Sequence, residues 1–89
     1  MNGNEDWPVS VSIAETDGQT RVAARLVMSG GDQLAGRGQA RRNPADREVT
    51  RIGAKIAAAR ALADLAGRLL HAAATAIEDV THEQAHLNL

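Results

Sequence analysis

Apolar and polar residues alternate along the first third of the chain with the period of two that a β-strand requires. In WPVSVSIA, Trp7, Val9, Val11 and Ile13 share one parity, and Ser10 and Ser12 the other. Pro8 near the start suits a strand's beginning or an edge. Asp17-Gly18 then supplies the positive φ angles of a tight hairpin turn. TRVAARLVM alternates again, with Val22, Ala24, Leu26 and Met28 set against Arg21, Ala23 and Arg25. SGGDQ makes a second turn, and LAGRGQAR follows as a third strand. The pattern predicts an antiparallel three-stranded meander. Gly36 and Gly38 fall on the parity of Leu34 and Ala40, where glycines mark a close approach by another backbone, here that of a following helix.

Asn43-Pro44-Ala45-Asp46 reads as a helix start, with Asn as cap, Pro in the first position and Asp in the first turn. The pattern allows a single turn there before a fresh start near Val49–Thr50. From there the period changes to that of a long helix. Ile52, Ile56, Ala59, Ala63, Ala66, Leu70 and Ala73 form an apolar stripe, widened by Leu62, Leu65 and Leu69. Arg60, Asp64 and Arg68 form the expected outer line. Thr75-Ala76-Ile77-Glu78 matches a capping box and predicts a restart into a short C-terminal helix ending near Glu83. The fold class expected is thus α+β, in the order β-β-β-α-α, as a single domain over 1–89 with loose ends at 1–6 and 84–89.

Composition changes this picture in one respect. The 89 residues include no Phe and no Tyr, Trp7 is the only aromatic, and much of the apolar fraction is alanine. A small chain with so thin a core gains burial from a partner subunit, so a homodimer is expected. The absence of cysteine excludes disulfides and Cys-based metal sites and suits a reducing compartment. No apolar run reaches the length of a membrane span, and MNGNEDWP lacks the regions of a signal peptide. A cytoplasmic protein without membrane contact is the expectation.

Charge is segregated. Net charge is -1, yet residues 21–60 carry nine bases against three acids, and the remaining residues one base against eight acids. A local positive field results despite the near-zero total. Parity assigns Ser10, Ser12, Arg21, Ala23, Arg25, Ala35, Arg37, Gln39 and Arg41 to the sheet face that the helix leaves bare. Guanidinium groups bind phosphates bidentately, and with no aromatic on this face, recognition would run through phosphate and shape rather than base stacking. A second basic element comprises Arg42, Arg47, Arg51 and Lys55, the last three spaced four apart near a helix N-terminus. Two readings of the basic face stand side by side: contact with RNA, or a solvated or partner-facing surface that meets the acidic part of a second subunit or another protein.

Other chemistry is poorly served. His71, His82 and His86 lack a metal-binding spacing such as HExxH. No nucleophile motif or paired carboxylates are present, and GRG lacks the spacing and Lys-Ser/Thr of a phosphate loop. No cofactor, small-molecule substrate or enzymatic activity is expected.

The stretches TRVAARL, GRGQARRNPADR, IGAKIAAARALADLAGRLL and AIEDVTH resemble those of small actinobacterial dsRBD-like proteins of unknown function, over about residues 9–86. The resemblance implies a homodimer, an association of some members with dormancy or hypoxic stress, and a fold-level likeness to ribosome hibernation promoting factors. It brings no agreed activity and no set of binding residues. The chain has Thr50 where many relatives have Pro. It also lacks the N-terminal helix and the Lys-Lys pair of a true double-stranded-RNA-binding domain, offering Arg47, Arg51 and Lys55 instead.

Overall fold

The computed structural model describes residues 3–41 and 50–81. Three strands, β1 (Val9–Thr16), β2 (Gln19–Val27) and β3 (Gln33–Arg41), precede one helix, α1 (Thr50–Thr81). The strands form an antiparallel sheet in the order β1-β2-β3. Asp17 and Gly18 take the positive φ angles, 51° and 74°, of the two-residue turn between β1 and β2. The β2–β3 turn is a single 3-10 turn over Ser29–Gly31, in which Gly30 and Gly31 have φ of 88° and 93°. Outside the turn, Trp7 Nε1 donates to Ser29 Oγ at 3.2 Å and the Ser29 hydroxyl donates to Glu5, tying the N-terminal segment to this corner.

Register follows the alternation. Val9, Val11 and Ile13 stand opposite Leu26, Ala24 and Val22, which in turn stand opposite Leu34, Gly36 and Gly38. One face of the sheet is therefore apolar, and α1 packs on it. The core consists of Val22, Ala24 and Leu26 from β2, Ala40 from β3, and Ala57, Ala61 and Leu65 from α1.

The helix presents the opposite side from the one its isoleucines predict. Ala54, Ala57, Ala61 and Leu65 are buried, whereas Ile52, Ile56, Ala59, Ala63 and Ala73 are exposed. Ala66 and Leu70 are half-buried. The cause lies in β3. A Cβ placed on Gly36 would run into the backbone N of Leu65 and O of Ala61, and one on Gly38 into the O of Ala57 and N of Ala61. Strand and helix backbones thus touch, and only the alanine side of α1 permits that distance. Bulky Ile or Leu facing the sheet would hold the axes apart near the usual ~10 Å. The expected outer line is accordingly an inner flank: Arg60 Nη1 donates to the Gln39 carbonyl at 2.8 Å, and Asp64 accepts from the Arg37 amide at 2.8 Å.

One further expectation is corrected, and one strand is left uncovered. The short C-terminal helix does not restart at Thr75, because α1 runs unbroken from Thr50 to Thr81. The alanines around Thr75 are strong helix formers, and the backbone ladder outcompetes the local cap that Thr75 and Glu78 could make. Strand β1 is exposed along its whole length, with Trp7, Val9, Val11 and Ile13 each 42–48% accessible. A helix about 10 Å wide spans two strands at ~4.8 Å spacing, and α1 is held over β3 and β2, so it touches β1 only at the margin. The predicted start at Asn43–Asp46 and the segment beyond Thr81 lie outside the described residues.

Replacing Gly36 or Gly38 by alanine is expected to destabilise the protein by roughly 1–3 kcal/mol, the cost of overpacking, since the obstructing atoms are backbone. Gly67, which has open space around its Cβ position, is the control: Gly67→Ala should stabilise α1 by about 0.5–1 kcal/mol. Thermal unfolding midpoints of the three variants give the check.

Candidate nucleic-acid interface

The sheet face opposite α1 is built by parity alone. Arg21, Arg25, Arg37, Gln39 and Arg41 are all exposed on it. Arg37 stands opposite Ala23, Arg21 opposite Gln39, and Arg41 opposite Gln19. The four guanidinium groups therefore alternate between β2 and β3 in the order Arg25, Arg37, Arg21, Arg41. Each step covers two residues, or about 7 Å along the strand direction, giving a ladder roughly 20 Å long. Ser10, Ser12 and Ala14 continue the face on β1 as a strip of small residues. A shallow concavity of ≈ 610 Å³ opens here, with Ser12, Arg21, Ala23, Arg37 and Gln39 among its lining residues.

One member escaped the sequence reading. Gln19 shares the parity of Arg21 and accepts from its Nη2 at 3.2 Å. Extending the alternation by one residue toward the turn would have found it. Among the described residues no acid lies on this face. Asp64 reaches β3 from the helix side, where its carboxylate takes the Arg37 amide at 2.8 Å and Arg68 Nε at 3.1 Å. The side chain of Arg37 is left for the bare face while its backbone is anchored from behind.

That anchoring perturbs Asp64. The hydrogen bond from the Arg37 amide, and secondarily that from Arg68, hold its carboxyl below the usual aspartate range.

Of the second basic element, Lys55 is the member whose side chain is described. Lys55 is exposed on α1, in the layer across the sheet from the arginine ladder. Arg42 and Arg47, and the side chain of Arg51, lie outside the described residues. Of the three histidines, His71 is exposed on α1, and His82 and His86 also lie outside the described residues. Among the described residues no group of three or more His, Asp or Glu is placed to hold a metal ion, and no helix is long and apolar enough to cross a membrane.

A three-stranded meander carrying one long helix on one face and arginines on the other defines a small α+β class. Residues 5–86 match the model of the Rv2632c-like family, and the chain belongs to that family. The uncharacterised protein Mb1767 of Mycobacterium bovis is 47% identical over 83 residues, covering 93% of this chain and 87% of its own length. The uncharacterised protein Rv2632c of Mycobacterium tuberculosis is 45% identical over 75 residues, covering 84% of this chain and 80% of its own. A crystal structure of Rv2632c superposes with a TM-score of 0.81 at 41% identity, over 92% of this chain and 96% of that one. These relatives are mycobacterial and uncharacterised, which fits the actinobacterial distribution and unknown function of the family to which GRGQARRNPADR and ARALADL pointed.

Because the folded-state pKa of Asp64 is depressed, its stabilising contribution is complete above the unfolded aspartate value of about 3.9. It is lost as pH falls through the folded value. Asp64→Asn should therefore flatten the decline of urea midpoints as pH falls below about 4. A decline as steep as that of the unaltered protein would show that Asp64 contributes nothing to it.

Proposed function

We propose that this protein is a non-catalytic RNA-contacting protein whose bare sheet face binds the phosphate backbone of structured RNA, the ribosome's included. The observation that carries the reading is the arginine ladder: four exposed guanidinium groups on one face, without an acid among the described residues there. Its period and length suit a run of successive phosphates, and Ser10, Ser12 and Gln39 supply neutral hydrogen-bonding groups beside it. The lack of an aromatic on this face argues for backbone and shape recognition over base reading.

The resemblance to dsRBD-like proteins and to ribosome hibernation promoting factors supports the same reading and suggests the setting, a stress or dormancy state of the cytoplasm. The family relatives are themselves uncharacterised, so the proposal rests on the face. In the rival reading the protein has no nucleic-acid role and the ladder meets an acidic protein surface, a second copy's included.

Binding to a structured RNA duplex or to ribosomes should weaken steeply with salt, since each phosphate contact releases counterions. Arg25→Gln and Arg37→Gln should each lower affinity for every RNA sequence alike and reduce the slope of log K against log salt by about 1. Fluorescence anisotropy across a salt series, with circular dichroism to confirm folding, makes the measurement. If affinity is unchanged in the double variant, the sheet face is not the site. If the unaltered protein binds no RNA at low ionic strength, the rival reading stands.

A further inference from the structure

The arginine ladder is not uniform along its length. Across the sheet, Ser12, Ala23 and Arg37 form one row, and Ala14, Arg21 and Gln39 the next. All six line the concavity on this face. Ser12, Ala14 and Ala23 are small and make its floor, while Arg21 and Arg37 rise from diagonal positions on adjacent strands. Such positions lie about 7–8 Å apart, within reach of long side chains, so both guanidinium groups can meet over Ala23. Arg25 stands two residues beyond Ala23 on the same strand and face, diagonal to Arg37 from the other side. Three cations therefore surround one alanine, with the Ser12 residue directly opposite it. Arg21 gives one N–H to Gln19 and keeps its other donors. Among the described residues no carboxylate pairs with the guanidinium groups of Arg25 or Arg37. Arg37, the member common to both diagonals, is also the one whose backbone Asp64 fixes from behind.

Such a seat suits one kind of phosphate. A phosphate monoester carries a charge of about −1.5 to −2 at neutral pH and three strong acceptor oxygens. An internal phosphodiester carries one negative charge, turns two free oxygens to a binding surface and has a ribose on each side. Three guanidinium groups and a hydroxyl converging on one position match the monoester in charge and in acceptors. A diester there would leave the excess of cation uncompensated. We infer, resting on the reading of this face as an RNA contact, that the concavity around Ala23 seats the terminal phosphate monoester of an RNA strand. Arg41 lies four residues further along than Arg37, roughly 14 Å, too far to serve the same group. It is placed instead for the backbone phosphates that follow. A free nucleoside monophosphate would leave Arg41 unused, which favours the RNA end as the occupant.

Fluorescence anisotropy at fixed ionic strength tests this with an internally labelled RNA duplex carrying a phosphate at a 5′ end, at a 3′ end, or at neither. A terminal phosphate at one end or the other should tighten binding at least about tenfold, the worth of a charge-assisted hydrogen bond. The preference should shrink as pH falls through about 6, where the second proton returns to the monoester. The facing groups, Arg21, Arg25, Arg37 and Arg41, stay charged throughout. Among the described residues no His, Asp or Glu stands on this face, so binding of the unphosphorylated duplex should stay level. Adenosine monophosphate should compete with the phosphorylated duplex, and adenosine should not.

Ala23→Glu, which sets a carboxylate among the three guanidinium groups, should abolish the preference. Gln33 is exposed on the same face but off the concavity, and Gln33→Glu, with the same change of charge, should keep it. Arg37→Gln should also lose the preference, whereas Arg41→Gln should weaken all three duplexes alike and retain it. This second pair decides the matter if Ala23→Glu does not fold. Equal affinity for the three duplexes overturns the inference and leaves the RNA-contact reading standing, and so does a preference that survives in folded Ala23→Glu and Arg37→Gln. If no duplex binds at low ionic strength, the RNA-contact reading fails. Binding of adenosine monophosphate that is lost in Arg37→Gln then keeps the monoester seat and gives it to free nucleotides, while no binding of either probe overturns both.

Discussion

Contact between two backbones organises this protein. At Gly36 and Gly38 the third strand offers no side chain, and the helix comes down until its own peptide groups fill the space. Everything else in the fold follows from that approach. It selects alanines for most of the inner side of α1, keeps the core thin, and holds the helix over two strands rather than three. It also turns the isoleucines outward. A core of this kind loses area that larger side chains would have buried, at ~25 cal/mol per Å². Close dispersion contact along the two backbones offsets part of the loss.

Such a packing produces a molecule whose two outer surfaces differ in character. The sheet's outer face holds arginine, serine and glutamine, and the helix layer ends in isoleucine and alanine beside an uncovered strand of valines. Separating the polar face from the apolar surface keeps the guanidinium groups hydrated. A mixed surface would have buried some of those charges against apolar neighbours at a desolvation cost. The sheet thus acts as a thin partition between two kinds of chemistry, and β2 contributes to both through alternate residues.

Strand positions, turn chemistry and the facing of each strand residue were legible in the sequence because period 2 leaves no ambiguity once two strands agree. The arginine face was legible for the same reason, though Ala14 and, beside the turn, Gln19 were overlooked. The helix was legible as a helix but not as an oriented one. Periodicity identifies a stripe from its largest apolar residues, and in this chain Ile52, Ile56 and Leu70 outweigh Ala54, Ala57 and Ala61 in any such reading. Gly36 and Gly38 already announced a close approach. Joined to the rule that close approach needs small residues on both sides, they would have singled out the alanines. Thr75 misled for a different reason: a capping box is a local option, exercised only where the helix has other cause to end.

A contact made of glycine and alanine is smooth. Small side chains repeat along α1 at nearly every turn, so sliding the helix by one turn along the strand would exchange one alanine for another with little penalty from packing. The polar bonds at the flank break that degeneracy. Asp64 grips the Arg37 amide and Arg60 the Gln39 carbonyl, and both partners would be lost together after a displacement of about 5.4 Å. These two side chains work as a vernier for the helix, setting its position along a groove that would otherwise accept several. They also occupy two of the outward backbone groups of β3, the Arg37 amide and the Gln39 carbonyl, so the bonds that keep the register interrupt the edge a foreign strand would pair with.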